Sequence, residues 1–414
     1  MTVEARLREC EGCGRMVRLG QLARGTEARC PRCHAVLRRA SGSLETPLAL
    51  ALAGLSLYAV TMTLPFLGIR LLGQARVSTI ETGALTFGRD GFWMLAVLVI
   101  LTLVLLPLAR LLLLTTVLLG LRAAEPLPWL HRAFRWHERI GAWAMLEVFL
   151  FGVLLSYSRL ADMAQVQIGP AAYGLAALAL AQVALNAWLE PQAVWEALEA
   201  RGATAAPVRP ARLDGPAIGC DSCRLVCEAP AGSTCPRCAA TLRERKPDSI
   251  ARAWALIAAA TVLYIPANAY PVMVIVNLGR GGPHTILGGV EEFIHGGFWP
   301  LALIVFLASI AVPVLKLAGL ATMLIGIHRR SGAGLVVRTR LYRLVEAIGR
   351  WSMIDIFVVS ILVALVRFGS IAQVTAGIGA VCFAGVVVLT ILAAEVFDPR
   401  LMWDAAAGRE EDEA

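Results

Sequence analysis

Apolar residues in this chain gather into long blocks, with polar residues gathered between them. Eight blocks stand out, at about 48–67, 92–121, 140–160, 171–189, 250–271, 297–327, 350–367 and 375–396. About 20 apolar residues in helix cross a hydrocarbon layer of roughly 30 Å. The pattern therefore predicts an α-helical polytopic membrane protein with eight transmembrane helices. Segments 68–90 and 272–296 mix apolar with polar residues, Asn277, Arg280 and His284 among them, and are expected to form small extended pieces outside the membrane. Segments 122–137 and 328–348 read as basic loops.

Composition agrees: 58% of the 414 residues are hydrophobic and only 16% charged. The formal charge of +8 is unevenly spread, so it bears on topology rather than on nucleic-acid binding. The opening forty residues are polar, Arg-rich and cysteine-containing, unlike a cleavable signal peptide.

Nine of the ten cysteines fall in two polar segments. The first reads Cys10-x2-Cys13, sixteen residues, then Cys30-Pro-Arg-Cys33; the second reads Cys220-x2-Cys223, eleven residues, then Cys235-Pro-Arg-Cys238. Each CxxC can form a knuckle that aims two thiolates at one ion, and two knuckles complete a tetrahedral site. Two structural Zn2+ ions are expected, supplying folding energy that such small segments lack. Cys227 is expected to be a non-ligand, and Cys382 lies in an apolar block.

The two halves match. The string from Leu57, LYAVTMTLPF, answers LYIPANAYPV from Leu263, and RIGAWAMLEVF from Arg139 answers AIGRWSMIDIF from Ala347. Arg159 answers Arg367, and Glu190-Pro191 answers Asp398-Pro399. Each half is a ribbon followed by four helices, and an even helix count makes the repeats parallel. The expected organisation is ribbon 1 (1–43), transmembrane repeat 1 (44–195), a linker (196–215), ribbon 2 (216–245), transmembrane repeat 2 (246–403) and a solvated acidic tail (404–414). Arg and Lys concentrate in the ribbons and in segments 122–138 and 328–348, which places the ribbons and both termini in the cytoplasm. Trp93 and Trp299 fit an aromatic belt at the opposite face.

The block at 297–327 contains Pro313 and Lys316, one of only two lysines; the block at 92–121 repeats this with Pro107 and Arg110. Ser309 and Lys316 lie seven apart on one helix, and Ser352 and Asp355 lie three apart on the next. Thr390 is in the eighth block. Charges within a bilayer are expected to face the bundle interior and to pair, here Lys316 with Asp355. The first half keeps the charges as Arg110 and Glu147 but has Leu103, Ala144 and Gln182 where the second has Ser309, Ser352 and Thr390. Lysine can release its proton and arginine cannot, so if one half does chemistry or transport the second is the better candidate, with the first as its structural twin.

Two CxxC ribbons, each followed by four membrane helices with GFW, P-x-x-[KR]-L and IG-x-W-[SA]-M-[LI]-[DE]-[VI]-F, resemble the paraquat-inducible protein A family over nearly the whole chain. The resemblance implies a subunit of the Gram-negative inner membrane. That subunit would exchange lipids with a periplasmic tunnel formed by an MCE-domain protein, supporting outer-membrane integrity. It also implies that Ser309, Lys316, Ser352, Asp355 and Thr390 form an intramembrane functional network. No GxxxxGK[ST] is present, so no nucleotide is expected on this chain, and a proton gradient suits it better as an energy source. The chain is not expected to be an enzyme, since no His, Glu or Asp motif has catalytic metal spacing. A thiol-based redox or metal-stress sensor is the alternative, and it predicts exposed, reactive cysteines.

Overall fold

The computed structural model describes residues 6–412 except 21, 24, 41, 72–73, 162–164, 209–216, 278–279, 298 and 369–371. The side chains of 71, 159, 161, 277, 280, 293, 301 and 409–412 also lie outside the description. Arg159, Asn277, Arg280, Phe298, linker residues 209–215 and the last residues of the tail are therefore not placed by their side chains.

Eight helical stretches are long and apolar enough to span a membrane: Glu45–Thr63, Trp93–Gly120, Leu130–Ser158, Pro170–Trp188, Ser249–Ala269, Ala302–His328, Leu335–Leu365 and Ile378–Val396. They are spans 1 to 8 below. Span 1 stops before Pro65 and Leu67, where the chain becomes a strand. Spans 1 and 4 pack together, as do spans 5 and 8. Spans 3 and 7 meet where the halves join, through Phe149 against Phe357 and Phe151 against Trp351, with ring centroids 5.4 and 4.9 Å apart.

Three expectations need correction. The segments read as basic loops are largely helix, Leu130–Ile140 and Leu335–Gly349, each joined to the rest of its span by a 3-10 turn, Gly141–Trp143 and Arg350–Met353. Their amphipathic spacing stabilises them, with Leu130, Ala133, Phe134 and His137 turned to the protein. The mixed segments are only half extended: each is a hairpin (Leu67–Leu71 with Gln74–Ser78; Met273–Asn277 with Arg280–His284) followed by a helix (Thr82–Arg89; Ile286–His295). A third strand, Gln165–Ile168 or Ala372–Ala376, completes each sheet beside the first. The acidic tail is helical as far as it is described, within Arg400–Asp412, and Asp404 is tied to Arg245 at 2.6 Å.

Both sheets lie at one end of the bundle and both ribbons at the other. At the sheet end Arg367 links the halves: it donates to Asp90 Oδ1 at 2.6 Å, while its carbonyl accepts from Arg76 at 2.7 Å.

Spans 2 and 6 are broken alike. Each contains a π turn, Leu101–Leu105 or Leu307–Ala311, just before its proline. Proline has no N–H to give the carbonyl four residues back, here Leu103 and Ser309. The wider turn accommodates this, with Leu106 N–H bonding Leu101 O and Val312 N–H bonding Leu307 O. In the first half the neighbouring 3-10 turn approaches the break, Met145 N–H donating to Thr102 O at 3.4 Å.

Candidate functional sites in the ribbons and the broken spans

All four CxxC knuckles share one backbone geometry. The first cysteine's carbonyl accepts from the residue after the second cysteine (Gly14, His34, Arg224, Ala239) at 2.8–2.9 Å. Those four residues have φ of 57–70°, the left-handed turn that closes a knuckle; three of them are not glycine. The four sulfurs of Cys10, Cys13, Cys30 and Cys33 lie within 4.8 Å of one another, as do those of Cys220, Cys223, Cys235 and Cys238. The closest cross-knuckle pairs are 3.4–3.6 Å apart. A tetrahedral ion with bonds of about 2.3 Å needs sulfurs ~3.8 Å apart, whereas a disulfide needs ~2.05 Å. Both sets therefore fit a metal ion, and all eight thiols are buried. Cys227 is buried on the strand Val226–Cys227, outside the ligand set.

The ribbons cross over. The cysteine core of ribbon 1 packs on the second membrane half, where Cys33 O accepts from Arg343 and Arg32 stacks 4.3 Å from the Trp403 ring centroid, while Arg6 and Arg38 reach Glu199 and Glu196 of the first. Ribbon 2 sits on the first half: Cys238 O accepts from Arg135, and Cys223 O from Gln192. Arg135 and Arg343 are equivalent by the repeat. Arg400 joins the ribbons, bonding Asp398, Glu9 beside Cys10, and Asp221 beside Cys220 at 2.9–3.0 Å.

Within the membrane the structure divides the five polar residues into two groups. Lys316 Nζ donates to Gly349 O at 3.3 Å and to Thr390 Oγ1 at 3.4 Å. Gly349 ends the helix Leu335–Gly349, so the ammonium meets the negative end of a helix dipole. The expected ion pair with Asp355 is not formed among the described residues; a helix terminus satisfies the lysine instead.

Ser309 and Asp355 line a cavity of about 70 Å³ that runs toward the sheet end, past Ile286 and Val359, to His284 and Glu292. Such a volume holds about two waters. His284 Nδ1 is 3.3 Å from Glu292 Oε2. The hydroxyls of Ser309 and Ser352 are buried without a hydrogen bond among the described residues. Their first-half counterparts, Leu103 and Ala144, are buried and apolar. There Arg110 packs against Gly141, the counterpart of Gly349, and donates to Asn186 at 2.8 Å. Glu147 is half-buried at the start of its helix, and Gln182 is buried with both amide atoms unbonded among the described residues. Sequence reasoning missed His284 and Glu292 as cavity groups; their signal was only a histidine and a carboxylate in a mixed segment.

Eight spans in two like-built halves, a ribbon for each and polar residues at the span breaks define a multi-pass membrane protein of duplicated build, with the features of a transporter. The chain belongs to the paraquat-inducible protein A family, whose profile matches residues 44–199 and again 250–407. It is 32% identical over 410 residues to the Intermembrane transport protein PqiA of Escherichia coli K12, covering 98% of this chain and 97% of that one. It is 32% identical to the Lipophilic envelope-spanning tunnel protein A of the same organism, covering 96% and 91%. A Probable intermembrane transport protein of Haemophilus influenzae is 28% identical, covering 95% and 94%. No solved structure matches the chain.

Proposed function

We propose that this protein is the inner-membrane subunit of a lipid transport system. It would exchange lipids between that membrane and a periplasmic tunnel built by an MCE-domain partner, maintaining the outer membrane. The names of the relatives, intermembrane transport and envelope-spanning tunnel, support the reading at the level of the family. The observation that carries it is the cavity opening from the sheet end to Ser309 and Asp355 at the breaks of spans 6 and 7. Broken helices at membrane depth supply polar groups only where they line a cavity or a protein interior. In this reading the sheet end is periplasmic, and the ribbons and both termini are cytoplasmic, which the distribution of arginine supports.

Asp355, His284 and Glu292 line the path that cargo or protons would take. Lys316 and Thr390 hold the breaks of spans 6 and 7 together, and Ser309 and Ser352 offer to cargo or to a proton path hydroxyls that are unbonded among the described residues. Each ribbon holds one Zn2+ as a structural staple, and the chain performs no catalysis. Burial of all eight thiols counts against the redox-sensor alternative, which needs reactive cysteines.

The test is outer-membrane integrity in a strain that depends on this system. Lys316→Ala and Asp355→Ala are expected to lose protection against detergent at unchanged protein levels. Ser309→Leu, which introduces the first half's residue and fills the cavity, should do the same. Full protection by all three would overturn the transport site.

A further inference from the structure

We infer that the first half carries a headgroup site for a zwitterionic phospholipid, in a crevice between ribbon 1 and the ribbon ends of spans 2 to 4. The crevice is about 430 Å³, within the ~300–1,000 Å³ of small-molecule sites. Its charged lining is not self-satisfied. Arg110 gives one N–H to Asn186, while its buried Nε has no acceptor among the described residues. Arg39, on the ribbon wall, is exposed, and its ion-pair contact among the described residues is a 4.0 Å approach to Glu27. The other two arginines are engaged, Arg38 by Glu196 and Arg224 by Glu11.

Two carboxylates share the crevice. Glu138 accepts from the Trp195 indole, and neither Glu138 nor Glu190 is in an ion pair among the described residues. Leu37, Phe134 and Leu189 add apolar wall. Two guanidinium side chains on the wall, Arg110 and the exposed Arg39, suit a phosphodiester, and carboxylates in the same cavity suit a primary ammonium. Asn186 is exposed at the end of span 4, so the site opens where a lipid headgroup would lie.

The second half makes the contrast. Its equivalent crevice, about 460 Å³ and lined by Tyr342, Glu346, Asp398 and Pro399, has its cations committed. Arg400 serves Asp398, Glu9 and Asp221; Lys246 Nζ serves Glu395 O and Phe397 O. Lys316 turns instead to Gly349 O and Thr390. The half that lacks counterparts of the Ser309, Ser352 and Thr390 hydroxyls keeps its arginine on the crevice wall, whereas the second half turns its lysine away from the equivalent crevice. The site depends on the membrane placement of the spans and not on the transport reading. Loss of transport in Asp355→Ala leaves it standing.

Metal-loaded full-length protein is incubated with mixed micelles of phosphatidylethanolamine and phosphatidylglycerol in equal amounts, and the retained lipid is measured by mass spectrometry. Wild type is expected to retain the ethanolamine lipid preferentially. Arg110→Gln should lower retention about tenfold, as expected for one charge-assisted bond, with metal content unchanged. Glu138→Gln with Glu190→Gln should abolish the preference between the two lipids while leaving total retention, an effect that mere loosening would not produce. If Arg110→Gln fails to fold, exposed Arg39→Gln replaces it, with a smaller loss in the same direction. Equal retention of both lipids by wild type, or undiminished retention in both arginine variants, overturns the proposal. Displacement of lipid by millimolar inorganic phosphate would reassign the crevice to soluble phosphate and overturn the lipid source.

Discussion

Arg400 ties three carboxylates together at the ribbon end. It is 5% exposed beside Asp398 at 1%, and its other bonds reach a carboxylate next to a metal ligand in each ribbon. Burial alone would raise the Asp398 carboxyl; the Arg400 guanidinium outweighs it and holds the group below its usual 3.8. A carboxylate depressed in the folded state contributes stability that is present above its unfolded value and lost as pH falls through its folded one. Removing one member of a buried pair costs about 3–5 kcal/mol because the remaining charge is stranded. Asp398→Asn is therefore expected to lower the thermal unfolding temperature at neutral pH and to narrow its gap from wild type as pH drops below about 4. Unfolding scans at the two pH values check this. Equal temperatures at neutral pH would show the pair to be dispensable.

At the scale of elements, the breaks in spans 2, 3, 6 and 7 distinguish this bundle from one of plain helices. The prolines were visible in the sequence, and a freed carbonyl four residues before Pro313 could be inferred from them. The π turn that accommodates it could not, since its i→i+5 bonds are chosen by what packs alongside. The helices Leu130–Ile140 and Leu335–Gly349 were legible in principle, because positions 130, 133, 134 and 137 keep a helical stripe. Their arginines obscured it, and two of them, Arg135 and Arg343, prove to bond the ribbons.

The helix Thr82–Arg89 lies so close to span 7 that a methyl group on Gly83 would meet the Ser360 hydroxyl and carbonyl. Gly83→Ala is expected to cost about 1–3 kcal/mol through overpacking against backbone. A fall in melting temperature without loss of metal would report it, and an unchanged melting temperature would mean that the contact yields freely.

On the scale of the whole molecule, the exchanged ribbons pack each four-cysteine cluster on the half that does not follow it in sequence. Cys13→Ser with Cys33→Ser should empty ribbon 1 and loosen its supports, Leu335–Gly349 and Arg400–Asp412. Ribbon 2 and its own seat on the first half should change less. Hydrogen exchange on the purified variant reads this directly, and faster exchange confined to the first half would contradict the exchanged seating. Metal analysis of wild type should find about two zinc ions per chain, and chelation should unfold both ribbons, since such sites derive their folding energy from the ion. A metal-free sample with folded ribbons would remove the zinc assignment.

The sequence by itself determined whatever is written in local spacing. CxxC pairs produce knuckles, long apolar runs produce spans, and the duplicated strings produce two like halves, because each depends on residues a few positions apart. Tertiary structure alone decided which ribbon rests on which half, that Lys316 caps a helix end instead of pairing with Asp355, and that Ser309 and Asp355 share a cavity with His284 and Glu292. Those outcomes depend on contacts between residues tens to hundreds of positions apart. Burial, charge matching and the supply of free carbonyls decide them.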